Sequence, residues 1–133
     1  MCNQHVFCIK KDKEVVASIL KYCKEKNIEC AWISAVGAVK SATLKNYDLE
    51  KREYQERKFY GRFEVVSLSG NIGLLGRKPV SHLHAILSDE EMKTFGGHLE
   101  EAIVSVTCEV FVQPIKKEIV REFDQNIGLN LIK

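Results

Sequence analysis

Three of the four histidines in this 133-residue chain, His82, His84 and His98, fall within 17 residues of one another. On an extended strand, positions i and i+2 face the same way about 6.6 Å apart, so two imidazoles can lean onto one ion. A metal–nitrogen distance of about 2.0–2.1 Å makes that arrangement workable. The pair Gly96-Gly97, just before His98, would let a second segment approach closely and deliver a third imidazole. Three nitrogens and an open position suit Zn²⁺ best, although nitrogen ligands alone do not select one first-row metal. Water at the open position would acquire a lowered pKa and act as a nucleophile, or a small-molecule ligand could place an oxygen there. The same spacing also fits three histidines on a polar sheet face, hydrogen-bonded to neighbours or to a partner subunit.

Other residues with chemical potential are less specific. Glu64, between Phe63 and Val65 in a β-rich run, is a candidate general base or partner of a metal-bound histidine, and equally a salt-bridge residue. Glu109 carries the same two readings. The string Gly76-Arg77-Lys78-Pro79 shares glycine, arginine and proline with the core of an AT-hook, but it lacks the second arginine and fits a turn between strands. No helix follows Gly70 and Gly73, which excludes a phosphate-cradling loop there. Trp32, Phe59, Tyr60 and Phe63 could stack on bases, but their apolar neighbours favour core packing.

Five cysteines, Cys2, Cys8, Cys23, Cys30 and Cys108, show no CxxC spacing, which argues for free thiols and against a disulfide framework or a cysteine-rich zinc site. Cys8, Cys30 and Cys108 lie in apolar runs and read as small buried hydrophobes. The net charge of +2 is too small for binding nucleic acid by charge alone. A mild skew, 12 basic against 8 acidic residues over 1–60 and 8 against 10 over 61–133, fits a solvated face. No apolar run of about 18 residues and no signal peptide is evident, so the expected location is the cytoplasm, away from membranes.

The elements that must position the histidines follow from periodicity. His5–Ile9 reads as a strand. Asp12 is placed to cap a helix carrying Val15, Val16, Ile19, Leu20 and Cys23 at helical spacing, closed by Lys24, Lys26 and Asn27. Residues 30–39 are apolar on both faces, as in a central strand covered on both sides. Strands follow around 42–47, 54–60, 63–68 and 71–75, with a break at Ser69-Gly70. In His82–Leu87 the core face is Leu83, Ala85 and Leu87, and the other is His82, His84 and Ile86. Ser88 and Glu91 fit a capping box for a helical turn over 88–92. From Ala102 to Val112 every even position is apolar, while Ile103 and Phe111 make the opposite face mixed, implying cover from a helix or another subunit.

The ordered segments GRFEVVSLSGNI (61–72), HLHAILSD (82–89), GGHL (96–99) and TCEVFV (107–112), with CAWISAVGAV (30–39) upstream, resemble the plants-and-prokaryotes-conserved (PPC) domain over nearly the whole chain. The resemblance implies one α+β domain over residues 1–133, a two-layer α/β arrangement of one main N-terminal helix and a mainly antiparallel sheet of about seven strands, packed as a homotrimer. It also implies that His82, His84 and His98 occupy the family's histidine positions, where a zinc-like metal binds in some prokaryotic members. Free-standing prokaryotic members are commonly described as predicted DNA-binding proteins, whereas plant members carry AT-hooks that this chain lacks. The resulting expectation is a trimeric metal-binding module with a DNA or protein partner. The alternative is a small zinc enzyme acting on a small molecule at an open three-histidine site.

Overall fold

A computed structural model describes residues 3–133, so Cys2 lies outside the described residues. The elements are β1 (His5–Lys10), α1 (Val15–Glu25), β2 (Ala31–Asp48), β3 (Glu53–Leu75), β4 (Lys78–Ser88), β5 (Thr94–Pro114), β6 (Val120–Asp124) and β7 (Leu129–Ile132). The described residues are thus mostly sheet with one short helix.

Helix α1 buries Val15, Ile19 and Cys23, one residue per turn along a single stripe. Its cap is Glu14 and not Asp12. The Glu14 carboxylate accepts from the backbone N–H groups of Val16 (2.8 Å) and Ala17 (2.7 Å), and from that of Ala102 on β5 (3.0 Å). One side chain therefore satisfies two orphan helix donors and ties the helix to the sheet, something a shorter residue two positions earlier could not do. Asp12 instead takes a left-handed turn (φ 71°) and pairs with Lys40. The helix ends as expected, with Asn27 in the left-handed conformation (φ 56°).

The sheet runs β1-β5-β2-β3-β6-β7, antiparallel throughout except for the short parallel pair β3–β6. Strand β4 pairs with both β3 and β5, so β2, β3, β4 and β5 form a closed circuit around the core. Its interior holds Ile33, Ile72, Leu83, Leu87, Val104 and Val110, all essentially inaccessible. Irregular register near Ala35–Gly37 and Val39–Ser41 bends the long β2, as bulges do, and allows the closure.

Several expected boundaries move. Ser69-Gly70 is not a break, because β3 is continuous through it. The turn falls at Gly76-Arg77, between paired Leu75 and Lys78, in agreement with the reading of Gly76–Pro79 as a turn. No helical turn forms over 88–92. The Asp89 carboxylate accepts from the backbone of Glu91 (2.9 Å) and Lys93 (3.0 Å), making a tight side-chain-supported turn in its place.

From Ala102 to Val112 the even positions are buried except Val106, which is 70% exposed. Two extra residues of β5 lie between the pairs Val39–Val104 and Gly37–Cys108, and this irregularity turns Val106 outward. Cys30 and Cys108 are buried as expected, whereas Cys8 is exposed and contacts the Thr107 hydroxyl. Burial pushes the Cys23 and Cys108 thiols up to about 11.

The start of β2 is covered on one side only within a single chain. Trp32 (51% exposed) and Val36 point away from the core, and their neighbours across the sheet include Phe111 (54% exposed) on β5 and Val6 on β1. Tyr60 is also exposed, while Phe63 is buried and Phe59 packs on Phe95.

Candidate metal centre

Alternation along β4 places Leu83, Ala85 and Leu87 in the core and turns His82 and His84 to the outer face. Antiparallel pairing then sets His98 of β5 directly across from His84. The three rings form a nearly regular triangle, with centroid separations of 5.0 Å for His82–His84 and 5.7 Å for each of the other pairs. One nitrogen from each ring lies within 4.8 Å of the others.

Glycines make this approach possible. A Cβ on Gly96 would lie 2.6 Å from the Ala85 carbonyl oxygen, and one on Gly97 would lie 2.9 Å from that of Lys45. A Cβ on Gly70 of β3 would lie 1.9 Å from the carbonyl oxygen of His82, at a φ of 155° that also favours glycine.

Two details bear on whether the site fits a metal. The Nε2 atoms of His82 and His84 are 3.2 Å apart. Two ligands on a tetrahedral zinc, each about 2.0–2.1 Å from it, would be separated by about 3.3 Å. In addition, Nδ1 of His98 is buried and has no hydrogen-bond partner among the described residues, an unsatisfied polar atom of the kind that marks an ion or ligand site. Burial holds His98 down to about 4, with the neighbouring imidazoles His82 and His84 adding to the effect. His82 is likewise lowered, by burial first and then by Arg121 and His84. Both rings are therefore neutral at pH 7, the form that binds metal.

The C-terminal hairpin supplies a wall that sequence reading missed. Strand β6 runs beside the end of β3, and Arg121 reaches over the outer face. Its Nη2 donates to Oδ1 of Asn71 (2.8 Å) and to Nδ1 of His82 (3.3 Å), and its Nη1 donates to the carbonyl of Asn130 (3.3 Å). The hairpin tip is held by Arg52, which donates to the carbonyls of Gln125 (2.7 Å) and Asn126 (3.0 Å), and by the Tyr47 hydroxyl on the Ile127 carbonyl. Between hairpin and sheet lies an open cavity of about 280 Å³, lined by His82, His98, Arg121, Tyr54 and leucines. Nothing in the string VREFD marks its arginine as buried, since the alternation is too short to assign a face.

Glu64 is not brought to the histidines. It pairs across from Ser88, five residues along β3 from Ser69, the neighbour of His84, and lines a different cavity with Arg62, Asp89 and Glu90. Glu109 is exposed on the outer face, opposite Cys8.

A model of the Plants and Prokaryotes Conserved (PCC) domain matches residues 1–116. Among curated proteins no sequence matches the chain. Among solved structures, a metal-containing protein from Archaeoglobus fulgidus is 39% identical, with a TM-score of 0.92 over 98% of this chain and 93% of that one. A plant- and prokaryote-conserved (PPC) protein from Pyrococcus horikoshii is 31% identical, with a TM-score of 0.91 over 98% and 91% of the two chains. A protein from Bacteroides thetaiotaomicron, whose DNA-binding designation is provisional, is 27% identical, with a TM-score of 0.95 over 98% and 92%.

Proposed function

Because the chain belongs to the Plants and Prokaryotes Conserved domain family, we propose that it is a metal-binding module in which His82, His84 and His98 hold one divalent ion, zinc by preference. The observation that carries this reading is the convergence of three imidazole nitrogens within 4.8 Å, with the buried Nδ1 of His98 lacking a partner. The 39% identical archaeal structure, described as metal-containing, supports it. Bound there, the ion would polarise an oxygen of water or of a ligand at its open position. The test is metal analysis of protein purified without chelators. One equivalent in the wild type and little in His82→Ala, His84→Ala and His98→Ala is expected; equal metal in all four rejects the site.

The module is proposed to work as a homotrimer. Trp32, Asn71 and His82 lie in one row across the outer face, as do Phe111, Ser34, Ser69, His84 and His98, so the uncovered apolar surface is continuous with the histidines. A second copy packed on Trp32 and Phe111 would bury that surface and border the site.

Two readings of the module's role have support. The cavity beside His82 and His98 favours a small molecule as its ligand, and with it the metalloenzyme alternative. Since Glu64 is remote, proton transfer by that residue at the ion has no geometric support, and Glu64→Gln should leave any turnover unchanged. The DNA reading rests on the designation of relatives such as the Bacteroides protein. It requires affinity for duplex DNA to fall steeply with salt, and a flat salt response would end it.

A further inference from the structure

Arg121 is only 6% exposed, yet no ion pair among the described residues includes it. Its three hydrogen bonds go to a side-chain amide, a backbone carbonyl and an imidazole, all neutral, and its Nε has no partner. A guanidinium buried this deeply without a counter-charge is destabilising unless something else compensates it. The same side chain lines the cavity shared with His82 and His98.

From this we infer that the cavity is a receptor for a short-chain monocarboxylate, whose carboxylate binds Arg121 while its apolar tail lies against the hairpin. A carboxylate matches the planar fork of a guanidinium and can take two N–H bonds at once. Leu75, Val80, Leu129 and Leu131 line the cavity beside Tyr54, Ser81 and Asn130 and give a hydrocarbon tail an apolar surface to lie on. The volume of about 280 Å³ fits a molecule of a few carbons and is small for a peptide or a nucleotide. The residues concerned, Arg121, Leu129 and Leu131, lie on the C-terminal hairpin beyond the region matched by the family model, so this is a property of the hairpin and not of the shared core.

The assignment deepens the metal-site reading, on which it rests for whatever part of the ligand faces the histidines, but its carboxylate end can be tested separately. Butyrate and its neutral isostere butyramide are titrated by calorimetry into zinc-loaded and zinc-free wild type, with metal content measured on the same samples. Butyrate is expected to bind at least about tenfold tighter than butyramide, the size of one charge-assisted hydrogen bond. Arg121→Gln should abolish that preference. Should Arg121→Gln fold poorly, Leu131→Trp on the cavity rim should weaken butyrate by filling its space while leaving the guanidinium in place. Stoichiometric zinc with no preference for butyrate overturns the carboxylate site and leaves the metal site standing. Arg121-dependent butyrate binding in protein that takes up no metal upholds the carboxylate site and overturns the metal reading.

Discussion

Gly70 and His82 touch backbone to backbone across β3 and β4, so closely that a Cβ on Gly70 would sit 1.9 Å from the His82 carbonyl oxygen. Glycine here sets how near β4 can come, and therefore where His82 stands. Gly70→Ala should force the strands apart and destabilise the fold by about 3 kcal/mol, through overpacking and an unfavourable φ together. Chemical denaturation measures the loss, and a near-neutral result would mean that the contact is easily relaxed.

The Arg121 contact fixes a tautomer. A guanidinium only donates, so Nδ1 of His82 accepts and the proton of the neutral ring stands on Nε2, facing His84. Ring ¹⁵N shifts of metal-free protein should show His82 protonated at Nε2. Zinc on Nε2 should reverse that assignment and end the Arg121 contact; an unchanged tautomer on loading would place the ion elsewhere.

Acid should weaken the metal-free protein through the buried His98. His98 is held down to about 4 in the folded chain, against about 6.5 when unfolded. Below pH 6.5 the unfolded state takes up a proton that the folded state refuses. Stability that is complete above pH 6.5 is thus lost as pH falls toward 4, by about 2–3 kcal/mol. Urea unfolding at pH 7 and pH 4.5 gives the difference. His98→Gln should flatten that part of the profile.

Saturating zinc should raise the melting temperature. At a free concentration about a hundredfold above Kd the gain is about 2.7 kcal/mol, or about 10 °C for a domain of this size. The three histidine-to-alanine variants should show no such shift in a thermal melt.

Trp32→Glu and Phe111→Glu test the outer face. Each puts a charge into the apolar surface proposed to be shared between copies, and aromatic anchors of this kind carry about 2 kcal/mol or more each. Sedimentation should move from trimer toward monomer, with the monomer still folded because neither side chain enters the core. A wild type that sediments as a monomer would remove the trimer altogether.

Periodic patterns were readable where one face of a regular strand or helix is buried. The alternation His82–Leu87 and the stripe Val15, Ile19, Cys23 both carry through to the structure, because burial on one side dictates residue type directly. The helix cap was misplaced because Glu14 is chosen by its reach to Ala102, a contact between residues 88 apart in the chain. The break at Ser69-Gly70 failed for a similar reason: glycine there answers to a neighbouring strand and not to a turn. Closure of the sheet through β4 has no local signature, and neither does the burial of Arg121. The spacing of His82, His84 and His98 was legible as a possible site; the cavity beside it was not.

All three histidines belong to one hairpin, β4–β5, joined by the short turn over residues 89–93. By contrast, β1 meets the end of β5 through His5 and Val112, across most of the chain. Loop-closure entropy makes the first contact cheap and the second costly, which predicts that the imidazoles assemble before β1 docks. Arg121 comes from β6, which pairs with β3 and not with this hairpin. An ion captured by the hairpin would therefore act as a folding nucleus, recruited before the cavity that surrounds it exists.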